Sequence, residues 1–107
     1  MELNYTIGKN AEHNTELCDT AAPDDIWFHA GNTSSAHLIL RNPEALSLKQ
    51  LVQAGTIYRM AVALRQHHQK FKGLDPIPIT YCQCRYIKTT RIPGAVNVLG
   101  PSYSILV

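Results

Sequence analysis

One segment of this 107-residue chain determines its architecture, and it reads DIWFHAGNTSSAHLILR from Asp25 to Arg41. Two apolar-rich runs flank a glycine-, asparagine- and serine-containing loop at positions 31–35, which predicts a β-hairpin. If the hairpin is symmetric about Thr33, every pair on one face is apolar, and that favours this register over a slip of one residue. Those pairs are Ile26/Leu40, Phe28/Leu38 and Ala30/Ala36.

The opposite face of the predicted hairpin carries Asp25/Arg41, Trp27/Ile39 and His29/His37. Two histidines at cross-strand distance suit two metal ligands, a general acid and base, or polar contacts to a ligand. Structural hydrogen bonds to the backbone or to the serine loop are the alternative. A zinc site needs about four ligands, and the cysteine and histidine spacing here is weak. We therefore expect no metal and no cofactor.

The other elements follow from periodicity and turn residues. Alternation predicts a strand at 3–7, followed by a short helix at 10–19. A capping box at Ser47 and Gln50 opens a long helix that runs to about Gln69. Strands follow at 79–87, 95–99 and 103–107, with the last two paired around Gly100. The order β-α-β-β-α-β-β-β predicts a single α+β domain with a mostly antiparallel sheet, one long helix and one short N-terminal helix.

The charge is unevenly distributed. The net charge of +2 divides into −5 over residues 1–44 and +7 over residues 45–107. A strongly basic half favours an anionic partner. No apolar run approaches the roughly 18 residues of a membrane span, and the N-terminus lacks the form of a signal peptide. The odd number of cysteines favours a reducing compartment. We expect a cytoplasmic protein without a membrane partner.

Three motifs near the hairpin resemble those of one known domain family. The run Ile7-Gly8-Lys9-Asn10, with Asn14, resembles the Gly-Arg/Lys-Asn-x-x-x-Asn opening of the NFACT-R domain. The run Asp24-Asp25-Ile26-Trp27-Phe28-His29 resembles its Asp-x-Trp-x-His signature, and Ser34-Ser35-Ala36-His37 resembles the Ser/Gly-Ser-x-His that follows. With the long helix and Pro93-Gly94-Ala95-Val96, the resemblance covers nearly all of residues 1–107.

The resemblance implies an RNA-binding role. In large proteins of ribosome-associated quality control, the NFACT-R domain accompanies a nuclease-like module, coiled coils and a C-terminal module, and those proteins recognise stalled large ribosomal subunits and tRNA. Stand-alone relatives usually add a coiled coil, and one kind is associated with DNA sensing. This chain has no such N-terminal module and reaches Val107 without a coiled coil. If the chain is complete, we expect a minimal, single-domain member; if it is a fragment, the rest of the protein holds the partner specificity. In either case we do not carry over the tailing activity of the large proteins.

We therefore expect a module that binds structured RNA, either rRNA or tRNA, in translation or ribosome quality control. The ribosome and DNA stay open as further partners. The expected contact residues are Lys9, Asn10, Asn14, Trp27, His29, Ser34, Ser35, His37, Arg41, Lys88 and Arg91. Other basic residues that could reach phosphates are Lys49, Arg59, Lys70, Lys72 and Arg85.

Two other functional classes stay open at this point. One is an RNA-processing enzyme in which His29 and His37 act as acid and base; they are the candidate catalytic residues, although we expect binding rather than catalysis. The other is a protein-interaction module that docks on a ribosomal partner. If RNA binding is correct, Lys9 and the two histidines should adjoin part of the basic set. The carboxylates of Asp19, Asp24 and Glu44 should then point elsewhere.

Overall fold

The computed structural model describes residues 3–31 and 33–107, so Met1, Glu2 and the loop residue Asn32 lie outside it. An antiparallel sheet has the order β1-β3-β2-β4-β7, and a second antiparallel pair joins β5 to β6. The strands are β1 (Tyr5–Ile7), β2 (Ile26–Ala30), β3 (Leu38–Leu40), β4 (Pro78–Gln83), β5 (Ile87–Thr89), β6 (Val96–Val98) and β7 (Tyr103–Leu106). The helices are α1 (Ala11–Thr20), α2 (Leu48–Gln53) and α3 (Thr56–His67). The predicted α+β class with an antiparallel sheet is confirmed.

The hairpin pairs in the predicted register. Trp27 lies opposite Ile39, and the flanking pairs are Ile26 with Leu40 and Phe28 with Leu38. The apolar face of the hairpin is fully buried and packs against α3. The α3 side chains in this core are Ile57, Met60, Ala61 and Leu64. Burying one such aliphatic side chain stabilises the fold by roughly 1.5–3 kcal/mol, so this core holds the register in place.

A second, smaller core lies on the other face of the sheet. Leu17 of α1 packs there against Trp27, Ile39 and Cys82. Because neighbouring residues of a strand point to opposite faces, α1 and α3 cover opposite sides of the sheet. The predicted polar face of the hairpin, with His29 and His37, is therefore the face that α1 covers.

The predicted long helix is two helices. Its start is as predicted, since Ser47 and Gln50 form the capping box at the head of α2. The helix stops after Gln53 because Gly55 adopts a left-handed conformation with φ of 78°, and α3 begins at Thr56. Glycine takes that conformation without steric cost, and it commonly ends helices in this way. Within the described ranges, no helix has both the length and the apolar character needed to cross a bilayer.

The C-terminal strands pair differently from the prediction. The strand expected at 79–87 is interrupted by a short 3-10 turn at Cys84–Tyr86. The expected pairing of 95–99 with 103–107 is wrong, because β6 pairs with β5 and β7 pairs with β4. Leu99 donates its backbone N–H to the Tyr86 carbonyl, and the Tyr86 ring fills the space beside Gly100. This contact holds the segment before β7 against Tyr86 and away from a hairpin with β6.

Substitution of Gly55 tests the helix break. A Cβ at this position would meet no atom within 4 Å, so Gly55→Ala changes only backbone strain. We expect it to lower the free energy of unfolding by about 1 kcal/mol, measured by urea denaturation. The exposed Gln53→Ala is the control and should change stability by less than about 0.5 kcal/mol. If the helix were continuous, Gly55→Ala would instead stabilise the protein.

Candidate nucleic-acid interface

A cleft of about 580 Å³ opens at the start of α1. Four parts of the chain form its walls: the turn into α1, the end of the hairpin, the residues that follow α3, and the loop before β6. The lining residues that the sequence predicted are Lys9, Asn10, Asn14, His29, Ser34, Ser35 and His37. The described lining residues include no aspartate or glutamate. The fold thus brings together predicted site residues that are up to 28 positions apart in the sequence.

Three aromatic rings pack together beside the cleft, and two of them, His29 and His37, line it. The rings of Trp27 and His29 are parallel, with centroids 5.7 Å apart. The His37 ring stands edge-on to both, at 5.5 Å from Trp27 and 5.2 Å from His29. The predicted cross-strand proximity of the two histidines is therefore present.

A hydrogen bond from Trp27 determines which ring nitrogen of His37 carries the proton. Trp27 donates its indole Nε1–H to His37 Nδ1 at 3.2 Å. Because an indole nitrogen can only donate, Nδ1 must accept, and the proton of the neutral imidazole lies on Nε2. The Sγ atom of Cys18 also lies 3.5 Å from Nδ1. Burial, together with the nearby His29, lowers the pKa of His37 to about 4. At neutral pH His37 is an uncharged hydrogen-bond donor.

His29 is also uncharged at neutral pH. Burial lowers its pKa, and the positive charges of Lys70 and His68 lower it further. A general acid and base pair needs one partner protonated and the other free near the working pH. Two neutral imidazoles suit hydrogen bonding to a ligand better than proton transfer.

Asn14 and Gly8 hold His37 in position. The side-chain oxygen of Asn14 accepts the backbone N–H of His37 at 3.1 Å, and Gly8 donates its backbone N–H to the His37 carbonyl at 2.9 Å. A Cβ on Gly8 would lie 1.7 Å from the Asn14 side-chain oxygen. Gly8 is therefore required for the close approach of Asn14. Together, Gly8 and Asn14 fix the backbone of His37.

Asn10 and Ser35 have structural partners as well. Asn10 caps α1, since its side-chain oxygen accepts the backbone N–H of His13 at 2.8 Å. The hydroxyl of Ser35 accepts the N–H of Ala30 and donates to the carbonyl of Ala36. The sequence left open whether Asn10 caps the helix or binds a ligand, and the structure places it at the cap and on the cleft wall.

Residues that follow α3 also line the cleft, and the sequence did not predict them as part of the site. Nε2 of His68 accepts the N–H of Ala36 at 3.0 Å, and the ammonium group of Lys70 contacts the carbonyl of Ser34. Both residues line the cleft, as does His67. From the sequence, Lys70 is predicted only as one of several basic residues that could reach a phosphate. Its position at the cleft depends on where α3 ends relative to the hairpin loop, and no local pattern encodes that.

Trp27 does not offer the stacking surface predicted for it. Its side chain is buried, with 4% of its surface exposed, and one face of the indole is stacked on His29. Direct contact of Trp27 with nucleic acid stays a prediction, and the free protein does not expose the indole for it. The contribution of Trp27 to the site is to orient the two histidines.

Arg41 also has a structural partner. Its guanidinium lies 3.0 Å from the carboxylate of Asp25, which is buried and also accepts the backbone N–H groups of Ala22 and Asn42. Arg41 borders a different cavity near α2. Lys88 lies on β5 and Arg91 in the loop that leads to the cleft-lining Pro93, and neither is among the described lining residues.

Three carboxylates, those of Asp19, Asp24 and Glu44, lie away from the cleft, as expected from the motif interpretation. Asp24 pairs with Arg85, and Asp19 accepts a hydrogen bond from Thr89 at 2.8 Å. Glu44 borders the cavity that contains Arg41. Lys9 and Lys70 are therefore the charged side chains that reach the cleft, together with its neutral donors.

No trio of His, Cys, Asp or Glu side chains among residues 3–31 and 33–107 is arranged to hold a metal ion. All three cysteines are free thiols. Burial raises the pKa of Cys18 to about 11 and that of Cys82 to about 12. Thiols with such pKa values are protonated at neutral pH and are poor nucleophiles.

Comparisons with known proteins give distant, partial matches. No protein-family model matches the chain. It is 29% identical over 87 residues to the Rqc2 homolog RqcH of Bacillus subtilis, an alignment that covers 80% of this chain and 14% of RqcH. It is 38% identical over 45 residues to coiled-coil domain-containing protein 25 of Danio rerio and 49% identical over 39 residues to that of Bos taurus. The chain thus spans 14–22% of the length of these relatives.

One solved structure has the same fold. The C-terminal part of the fibronectin/fibrinogen-binding protein from Streptococcus suis superposes on 99% of this chain with a TM-score of 0.77, and the match covers 41% of that chain. Its sequence identity of 19% carries information on the fold alone. The partial similarity to RqcH is compatible with the resemblance to NFACT-R domains.

Substitution of Gly8 tests the link between α1 and His37. We expect Gly8→Ala to displace the Asn14 side chain and to lower the free energy of unfolding by about 1–3 kcal/mol in urea denaturation. Gly31→Ala is the matched control, because its Cβ would make only ordinary contacts, the nearest being 3.4 Å to Thr80. Equal effects of the two substitutions would contradict the proposed packing.

The pKa of His37 predicts how stability depends on pH. The folded protein binds this proton more weakly than the unfolded chain does, so protonation favours unfolding. We expect the free energy of unfolding to fall as pH drops from 6.5 to about 4, by at most about 3 kcal/mol from His37. Urea denaturation at several pH values measures this. His37→Gln should show a shallower decline, and titration of His37 near pH 6.5 by NMR would contradict the model of a buried, neutral donor.

Proposed function

We propose that this chain is a nucleic-acid-binding module whose cleft contacts structured RNA, either rRNA or tRNA. The observation that supports it best is the composition of the cleft: Lys9, Lys70 and two neutral histidines line it, and no described lining residue is acidic. Lysines attract the phosphate backbone and release its counterions, while neutral donors add polar contacts. DNA shares this backbone chemistry and is the natural competitor.

The cellular context belongs to the same proposal. The motifs around Gly8, Trp27 and His37 resemble those of NFACT-R domains, and the partial match to RqcH, an Rqc2 homolog, is compatible with that resemblance. We propose that residues 1–107 form one such domain, acting in the cytoplasm in ribosome-associated quality control. Because the chain covers only 14% of RqcH, we extend to it the RNA-binding role and no other activity.

We infer binding rather than cleavage. Cleavage of RNA by a histidine pair requires a protonated acid and a free base, and both His29 and His37 have lowered pKa values. His37 Nδ1 is already occupied by the Trp27 indole, so it is not free to act as a base.

Charge-removal variants test the proposal. We expect Lys9→Ala and Lys70→Ala each to weaken binding to a tRNA or rRNA fragment about tenfold, because each removes a charged hydrogen-bond donor. The slope of log K against log salt should become shallower by about one for each lysine removed. Fluorescence anisotropy over a range of salt concentrations measures both quantities.

Lys49→Ala is the matched control for these variants. Lys49 is an exposed lysine on α2, beside Tyr81 and Tyr103 and outside the cleft. An effect of Lys49→Ala as large as that of Lys70→Ala would contradict a binding site in the cleft. Binding that does not change with salt would favour a protein-docking role instead. Gel analysis of the same RNA samples would reveal cleavage, which the double variant of His29 and His37 would abolish if these residues were catalytic.

A further inference from the structure

One polar atom of His37 has no hydrogen-bond partner among the described residues. The residue is 2% exposed, its Nδ1 accepts from Trp27, and its backbone N–H and carbonyl are bonded to Asn14 and Gly8. The remaining atom, Nε2, makes no hydrogen bond to a described residue. Since no buried side-chain nitrogen or oxygen in the described part of the chain lacks a partner, Nε2 must reach solvent. Because His37 lines the cleft, we infer that its Nε2–H opens there.

The start of α1 borders the same cleft. Asn10 and Ala11 line it, and the ten-residue helix points its positive end at this wall. The N–H groups in the first turn of a helix have no intrahelical partner, and that of Ala11 has no side-chain partner among the described residues. The carboxylate of Glu12 lies in the same turn, but Glu12 is not among the lining residues.

The groups that face the cleft are mainly donors. Nε2–H of His37 and the backbone N–H of Ala11 are neutral donors, and Lys9 and Lys70 add positive charge. The hydroxyl of Ser35 is already used by Ala30 and Ala36. A matching ligand group must accept several hydrogen bonds and carry negative charge. Phosphate has this chemistry, and helix N-termini commonly bind it.

We propose that the cleft is a phosphate-binding subsite, in which one phosphate group of the bound nucleic acid accepts hydrogen bonds from His37 Nε2–H and from the backbone N–H of Ala11 at the start of α1, with Lys9 and Lys70 supplying charge. The proposal rests on the proposed RNA-binding function and specifies which chemical group the site recognises. Trp27 is a positioning residue, because its indole N–H keeps the proton of His37 on Nε2.

Titration of the intact wild-type protein tests the subsite directly. The probes are inorganic phosphate, adenosine 5′-monophosphate and adenosine, added at millimolar concentration to protein labelled with nitrogen-15. We expect phosphate and the monophosphate to shift the His37 Nε2 resonance and the amide of Ala11, while adenosine leaves both in place. If neither phosphate probe shifts His37, or if adenosine shifts it equally, the proposal is overturned.

Substitutions of His37 separate a donor from a structural role. His37→Gln keeps an amide that can accept from Trp27 and donate to the cleft, so we expect it to retain phosphate affinity within about threefold. His37→Phe removes the donor and should weaken binding about tenfold or more. Amide spectra confirm that each variant is folded. If His37→Phe does not fold, the change in the Ala11 amide resonance of the wild-type protein on adding phosphate still tests the subsite.

The source of the phosphate is resolved by paired oligonucleotides. A short RNA with a 5′-phosphate is compared with the same RNA carrying a 5′-hydroxyl. A His37 shift with both indicates an internal phosphodiester, and a shift with the phosphorylated RNA alone indicates a chain end. RNA binding that depends on Lys9 and Lys70 without any His37 shift would overturn the subsite and leave the RNA-binding role intact. Phosphate binding without affinity for any RNA would overturn the RNA-binding role.

Discussion

A slip of one residue in β3 would turn His37 toward the core beneath α3 and would bring its apolar neighbours to the α1 side. The structure excludes this register because Phe28, Leu38 and their neighbours fill the apolar core completely. The rest of the cleft depends on this constraint. The indole of Trp27 meets Nδ1 of His37 at 3.2 Å only because the two residues share a face. The stacking of His29 on Trp27 has the same origin.

No buried side-chain nitrogen or oxygen in the described part of the chain lacks a hydrogen-bond partner, and this includes the polar side of the hairpin. A buried polar atom that loses its partner costs about 1–3 kcal/mol, so such a cluster tolerates few gaps. Asn14, Gly8, Trp27 and Cys18 together surround His37 and leave one nitrogen open. His37 therefore presents one donor that is held by contacts from α1, β2 and the turn before α1. A flexible surface lysine has no comparable geometry.

The sequence predicted the parts of this structure that rest on local patterns. The hairpin register followed from six apolar positions, the start of α2 from the Ser47 capping box, and the meeting of His29 with His37 from alternation. The break at Gly55 was missed because the apolar periodicity continues across it. Strand partners after β4 were missed because Tyr86 and Gly100 meet only in the folded chain.

In the candidate site, too, local sequence patterns predicted some residues, whereas others come together only in the folded chain. Residues close to the hairpin in sequence could be proposed from the motifs, and the structure brings seven of them to one cleft. Composition does not reveal burial, so the sequence could not show that Trp27 and Arg41 are engaged by partners inside the fold. The roles of His68 and Lys70 depend on the path of the chain after α3, which carries them to the hairpin loop more than 30 residues away in sequence.

The contact between Gly8 and Asn14 also limits how this protein can change. A side chain at position 8 and an amide at position 14 compete for the same volume, so the two positions act as one unit of substitution. An alanine at position 8 costs little once position 14 is small, yet that change releases the backbone of His37. The energetic effects of the two positions are therefore non-additive. A substitution at position 8 or position 14 alone is therefore disfavoured as long as selection preserves the open nitrogen of His37.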